Sequence, residues 1–336
     1  MKTYIIAEAG VNHNGILQKA FDLIDKAVEA KADCIKFQTF KAEKIATKTA
    51  PKASYQKRTT DKKESQFDML KRLELSYFEF KQLFEYCKKV KIDFLSTPYN
   101  FNDVDMLNEL GVDCFKIASA QLTEIPFLKY VANKMKKMIV STGMSNLSDI
   151  WNAVQAIRET GNNEIFVLQC TTNYPSSIND ANLLAMETIK RACGVRVGYS
   201  DHTLGNLACF ASVALGAEIV EKHFTLDKKL SGPDHSSSFN PNEFKDLVFG
   251  IRQIEKSLGS PLKRITSDEK ENIFGMKRSL FSTRDIKKGD RIQLKDIEFK
   301  RPASGLNINL IDTIIGKKAK VNISFDEPFL YSNIEW

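Results

Sequence analysis

The chain has 336 residues, 43% of them hydrophobic and 27% charged, with a formal net charge of +7. That is longer than one ordinary domain, and its composition is that of a globular protein with a core to bury, not a disordered chain. No apolar run approaches the ~20 residues of a membrane helix. The positive charge is spread along the chain, with no basic helix, interleaved aromatics or RNP-type motif, which argues against a nucleic-acid partner.

The N-terminus, Met1-Lys2-Thr3-Tyr4, runs directly into a strand-like segment without the layout of a signal peptide, so a cytoplasmic protein is expected. Strand-like runs follow at 3–9, 34–39, 93–98, 114–119, 138–143, 165–170, 195–200 and 218–224. Between them lie stretches with apolar residues at helical spacing, such as 17–32, 77–90 and 149–159. Eight strands alternating with helices are the number that closes a TIM (β/α)8 barrel. An open doubly wound sheet is the alternative, but no Gly-rich dinucleotide turn follows the first strand. Residues 41–66, rich in Lys and Thr, read as a long polar loop after the second strand, a place for a lid. The barrel is expected to span 1–257. Residues 258–275 read as a linker with one short helix, and 276–336 as a small β-rich domain.

The six cysteines have no paired short spacing, and Cys34, Cys114 and Cys170 lie in apolar strand-like runs. They read as reduced, buried thiols, which excludes a disulfide framework or a zinc ribbon.

Barrel chemistry sits at the carboxyl ends of the strands. Those ends carry Glu8, Lys36 and Gln38, Ser96-Thr97, Lys116 and Ser119, Ser141-Thr142, Cys170, Ser200-Asp201-His202, Glu221 and His223. A buried ammonium is costly unless it meets an anion. Lys36 and Lys116, ringed by Thr97, Ser119, Ser141 and Ser200, therefore suit a phosphate or carboxylate. A lysine that snorkels or pairs with a neighbouring acid is the plainer alternative. All four histidines, His13, His202, His223 and His235, fall at strand ends or just beyond. His202 and His223 close adjacent strands and could hold one divalent ion with open oxygen positions, manganese or magnesium rather than a closed structural zinc. Such an ion is a Lewis acid for a carbonyl. A histidine–carboxylate pair would account for the same residues without metal. A serine triad is excluded because Ser200, Asp201 and His202 are consecutive and alternate in direction along a strand.

The segments IIAEAGVNHNG (5–15), IKFQTF (35–40), FLSTPY (94–99), FKIAS (115–119), IVSTGM (139–144), VGYSDHTLG (197–205), EKHFTLD (221–227), SGPDH (231–235) and KRPASG (300–305) resemble the bacterial sialic acid synthase family. The likeness is to its N-acetylneuraminate and N,N'-diacetyllegionaminate synthases, and it runs in order along the whole chain. The resemblance implies a TIM barrel joined to an antifreeze-like SAF domain in a domain-swapped homodimer. It implies His202 and His223 as ligands of a divalent metal, Mn2+ first, with Mg2+ or Co2+ as alternatives. It implies a phosphoenolpyruvate site of Lys36, Gln38, Thr97, Lys116, Ser119, Ser141 and Ser200. Sugar contacts would come from Tyr174 and Asp234, from Tyr55 and Gln56 in the 41–66 lid, and from Arg301 of the partner subunit. The implied reaction joins phosphoenolpyruvate to an N-acetylated amino sugar. N-acetylmannosamine is the first choice of acceptor, and 2,4-diacetamido-2,4,6-trideoxymannose the alternative. A 3-deoxy-octulosonate or pseudaminate synthase is the nearest rival enzyme. A catalytically inactive carbohydrate-binding homologue is the rival of another class.

One position departs from the family pattern. After FKIAS the family places a carboxylate two residues on, and this chain has Gln121. An amide cannot serve as a general base. Either Glu8, Glu221 or a metal-bound water covers that role, or the family carboxylate is not the essential base, or activity is reduced.

Overall fold

The computed structural model describes residues 2–53, 56–61 and 64–336. The chain divides into two compact units, Met1–Gly259 and Ser260–Trp336.

In the first unit eight parallel strands form one sheet: β1 Tyr4–Gly10, β2 Cys34–Thr39, β3 Asp93–Pro98, β4 Cys114–Ile117, β5 Lys137–Ser141, β6 Ile165–Cys170, β7 Arg196–Asp201 and β8 Ile219–His223. Their hydrogen-bonded order is β3-β2-β1-β8-β7-β6-β5-β4. The two end strands, β3 and β4, also lie against one another, which rolls the sheet into the expected TIM-type barrel. The fourth run stops two residues short of the expected 119, because Ser119–Gln121 turn into a 3-10 helix.

Period two divides each strand between two environments. Outward residues such as Ile5, Ala7, Ile35, Val140 and Val220 meet Leu23, Ile24, Leu83 and Leu107 of the surrounding helices in one buried core. Inward, Ile6, Leu95, Ile139, Phe166, Leu168 and Ile219 fill the lower barrel. Gly198 belongs to this layer: a Cβ there would sit 2.4 Å from Ile219 O and 2.7 Å from Leu168 Cδ2.

The helices begin where the sequence offers caps. Ser76 and Glu79 form a capping box at Tyr77–Val90, and that helix ends on Lys91 in the left-handed conformation. Asn146 with Asp149 starts Leu147–Arg158, and Asn240 with Glu243 starts Pro241–Leu258. The segment read as a polar loop is partly helical, with turns at Ala42–Ile45 and Gln56–Thr59 and a helix from Gln66. Buried Lys52 organises it, its Nζ donating to Thr60 Oγ1, Asp61 O and Glu64 Oε2 at 2.8–3.0 Å. Among the described residues no helix is long and apolar enough to cross a membrane.

The second unit starts with the helix Ser267–Met276. Its regular strands are short: β9 Ser279–Ser282 pairs antiparallel with β10 Ile297–Lys300. Isolated bridges such as Ile286–Ile323 and Ala319–Ile334 hold the rest. Leu280, Ile286, Ile292, Ile314, Ile323 and Phe329 form its own small core.

Candidate active site

Above the apolar layer, the inward positions of the same strands turn polar. Glu8 pairs across the sheet with Lys36, Gln38 with Thr97, and Ser200 with both Cys170 and Glu221. The side chains meet in one buried ring. Lys36 Nζ is 2.7 Å from Glu8 Oε2 and 3.7 Å from Glu221 Oε1, and donates to Thr97 Oγ1 at 3.3 Å. Lys116 Nζ donates to Ser141 Oγ at 2.6 Å and to Ile117 O at 3.1 Å, and lies 3.9 Å from Glu221 Oε1. Ser200 Oγ donates to Glu221 Oε1 at 3.0 Å, and Gln38 Nε2 to Glu8 Oε1 at 3.2 Å.

The two lysines differ in how well they are compensated. Burial works against the charge on Lys36, but Glu221 and Glu8 outweigh it and raise its pKa. On Lys116 burial prevails: Glu221 only partly offsets it, the charge of Lys36 adds to it, and the ammonium is pushed down. Glu221, pushed up by its own burial, is nonetheless held low by Lys116 and Lys36. The ring thus contains a cation whose nearest carboxylate is nearly 4 Å away, a setting that an anionic ligand would complete.

Beside the ring, His202 and His223 are both buried, with ring centroids 5.3 Å apart. His202 Nδ1 is 2.7 Å from Thr171 O, which only accepts, so Nδ1 carries a proton; burial works against a charge on the ring, but Cys170 and the Thr171 carbonyl outweigh it and raise its pKa. His223 Nδ1 is buried with no hydrogen-bond partner. Burial first, then the charges of His202 and three lysines, hold His223 neutral. In its neutral form each imidazole offers a nitrogen lone pair, so these residues fit a divalent ion, which on His202 would compete with a proton. Among the described residues no third His, Cys, Asp or Glu completes a protein-only metal site. An ion here would keep positions open for water and substrate. Tyr174 packs against both rings, tilted with its centroid 4.1 Å from that of His202 and edge-on 5.5 Å from that of His223.

The remaining expected residues are distributed around this centre. Ser119 Oγ accepts from Gly143 N at 2.9 Å, and a Cβ on Gly143 would sit 2.0 Å from Thr172 Oγ1, so the turn after β5 closes on Ser119 without room for a side chain. Gln121 is buried, its Nε2 donating weakly to Tyr99 O at 3.4 Å. Asp234 is buried, and burial followed by the charge of Glu8 pushes its carboxyl up to about 7. Gln56 is buried at the start of the helical turn Gln56–Thr59, where its Oε1 accepts from Ala53 N at 2.9 Å. That turn meets the Asp234 segment through Thr59 Oγ1, which donates to Pro233 O at 3.1 Å. Tyr55 lies outside the described residues. Arg301 is exposed in the C-terminal unit, its Nε donating to Met276 O at 2.9 Å.

Two of the four histidines are held by neighbouring loop residues, though His13 Nε2 is itself buried without a hydrogen-bond partner. His13 Nδ1 accepts from Gly15 N at 3.0 Å, and His235 is held by Thr225 Oγ1 and Asn14 Oδ1. Sequence reasoning missed Tyr99, whose hydroxyl reaches Gln38 Oε1 at 3.5 Å and which lies one residue beyond β3. Among the described residues, the buried side-chain atoms without a hydrogen-bond partner all belong to residues at or beyond C-terminal strand ends. Gln121 Oε1, Thr172 Oγ1, Glu221 Oε2 and Asp234 Oδ1 are among them. Buried polar atoms are rarely left orphaned, and their gathering at one mouth marks a place for a polar ligand.

Residues 23–263, most of the barrel unit, match the model of the NeuB family. The chain belongs to the NeuB family. Residues 277–335 match the SAF domain. Across nearly its full length this NeuB-family chain is 46% identical to the N,N'-diacetyllegionaminic acid synthase of Campylobacter jejuni, covering 97% of this chain and 98% of that one. It is 41% identical to the enzyme of the same name from Legionella pneumophila, covering 100% and 95%. The crystal structure of an N-acetylneuraminic acid (sialic acid) synthetase from Leptospira borgpetersenii, in complex with citrate, superposes with a TM-score of 0.72 at 36% identity. That match covers 81% of this chain and 90% of the Leptospira chain.

Proposed function

We propose that this chain condenses phosphoenolpyruvate with 2,4-diacetamido-2,4,6-trideoxymannose and water to give N,N'-diacetyllegionaminate and phosphate. Two relatives carrying that synthase name, at 46% and 41% identity, favour this acceptor over N-acetylmannosamine, the first choice from the sequence. The observation that carries the reaction class is the under-compensated Lys116 in a ring of hydroxyls beside two buried, neutral-capable histidines.

In this reading Lys36 and Lys116, with Gln38, Thr97, Ser119, Ser141 and Ser200, bind the phosphate and carboxylate of phosphoenolpyruvate. They stabilise charge that is present throughout the reaction. His202 and His223 hold a divalent ion, Mn2+ first and Mg2+ or Co2+ as alternatives, which supplies Lewis-acid polarisation of the acceptor aldehyde. Carbon three of phosphoenolpyruvate bonds to the aldehyde carbon, water adds at carbon two, and the bond from carbon two to the phosphate oxygen breaks. The water gives up both protons as its oxygen becomes the carbonyl at carbon two: one is accounted for on the aldehyde oxygen and the other on the departing phosphate. Glu8 and Glu221 are the carboxylates inside the ring that can exchange those protons, a task closed to the Gln121 amide. Tyr174, Asp234 and the lid residues Tyr55 and Gln56 position the sugar. The working form is a cytoplasmic, domain-swapped homodimer in which the partner's Arg301 reaches an acetamido group.

The test is phosphate release from phosphoenolpyruvate with Mn2+ and each acceptor side by side. The diacetamido sugar should be turned over with at least tenfold higher kcat/KM, and activity should vanish with EDTA and return with Mn2+. A preference for N-acetylmannosamine would reassign the product to N-acetylneuraminate, since the acceptors differ at two substituents that pocket contacts can separate. No phosphate from either sugar would instead favour an inactive sugar-binding homologue.

A further inference from the structure

The barrel has a second mouth, at the N-terminal ends of the strands. In most such barrels that end is packed shut, and its residues serve stability. Here it holds a cavity of about 620 Å3, within the range of small-molecule sites. Its floor is the apolar layer of Leu95, Ile139, Phe166 and Ile219. Its rim is cationic: Lys2, Lys88, Lys91, Lys137 and Arg196 line it against three acids, Asp93, Asp113 and Glu218. Arg196 is occupied by Glu218 at 2.7 Å and by the face of Phe166 at 4.2 Å. Lys91 and Lys137 make no ion pair among the described residues, and neither do Asp93 and Asp113, so the positive surplus of the rim is the two charges by which its five cations exceed its three acids. An apolar floor beneath a rim of net positive charge suits a small anion with a flat apolar body.

The cavity is also placed to reach the catalytic mouth. Leu95, Ile139 and Ile219 stand two residues before Thr97, Ser141 and Glu221 on the same strands, so period two puts each floor residue directly beneath a ring residue. The lining further spans β3 and β4, through Asp93, Leu95 and Cys114. Among the described residues these two neighbouring strands alone share no ladder hydrogen bonds. A seam without a ladder is the joint of the barrel most easily shifted, and it carries Thr97 on one side and Lys116 on the other.

We propose that the N-terminal mouth is a second ligand site, for a small organic anion with a flat apolar body, and that its occupancy tightens the β3–β4 seam beneath the ring.

The probe is 1-anilinonaphthalene-8-sulfonate, titrated by fluorescence against the full-length protein. One saturable site is expected, which saturating phosphoenolpyruvate does not displace. Lys137→Glu and, independently, Lys91→Glu should weaken it at least fivefold, while Lys245→Glu, an exposed change outside the cavity, should leave it unchanged. At probe saturation, amide exchange in 93–98 and 114–117 should slow at least threefold. Displacement by phosphoenolpyruvate, or equal affinity in both rim variants and the parent, would overturn the site. Unchanged exchange in both strands would overturn the coupling. Neither readout needs turnover, so failure of the synthase reading would be seen separately.

Discussion

Two buried clusters of opposite charges sit back to back on β7 and β8, and they are finished differently. On the outer face, Lys222 Nζ is 2.6 Å from Asp201 Oδ2 and also donates to Thr203 O and Gly205 O. Asp201 in turn accepts from Tyr199 OH, Thr203 N and Cys209 Sγ at 2.8–3.1 Å. Every ammonium proton and both carboxylate oxygens are used. One residue away on the inner face, Glu221 stands 3.7 and 3.9 Å from two lysines and leaves Oε2 without a hydrogen bond. A buried ion pair holds a fold together only when its geometry and remaining hydrogen bonds are complete. Completeness therefore separates the structural cluster from the one built to receive a ligand, although both are equally buried.

The strongest way to break this contrast is to remove one lysine from each side. Lys222→Met leaves the Asp201 carboxylate buried and uncompensated, which should cost about 3–5 kcal/mol in urea unfolding. Turnover per folded molecule should stay within about threefold of the parent, because Lys222 faces away from the ring. An unfolding midpoint unchanged from the parent would show that the outer pair is not structural. Lys116→Met should do the reverse. Phosphate release should fall by on the order of 10²–10³, the cost of one well-placed charge-stabilising donor. Unfolding should be unchanged or slightly harder, since the poorly compensated ammonium no longer has to be buried. If Lys116→Met destabilised the fold as Lys222→Met is expected to, the inner ring would be a second structural cluster.

Much of this was legible beforehand, because period two and strand-end chemistry are local properties. The polar strand ends chose Lys36, Lys116, Ser141, Ser200, Glu221 and the two histidines, and these side chains do converge. The capping signals at Ser76, Asn146 and Asn240 also act within a few residues. The outer pair was overlooked although its signal was present: Asp201 and Lys222 are the residues of opposite parity to Ser200 and Glu221, and they are register partners. Lys52 was illegible for another reason. In a Lys- and Thr-rich segment it reads as one more solvated charge, and only the approach of Thr60, Asp61 and Glu64 to its ammonium buries it. Tyr99 escaped because the residue after a strand has no fixed direction, and its reach to Gln38 depends on the neighbouring strand.

The smallest expected effect sharpens the comparison through a third buried charge, Asp234, whose Oδ1 has no hydrogen-bond partner. Burial, and then the charge of Glu8, push its carboxyl up to about 7. The folded state therefore holds a proton that the unfolded chain, with an ordinary carboxyl near pH 4, has already released. The sign follows: the contribution of Asp234 to stability is present below about pH 4 and is lost as pH rises through about 7. Asp234→Asn removes that dependence. Between pH 5 and pH 8, the unfolding free energy of the metal-free parent should fall relative to the variant by on the order of 2 kcal/mol. Parallel pH profiles for the two proteins would mean that Asp234 is as well satisfied as Asp201. The division between finished and unfinished buried charges would then not extend beyond the ring.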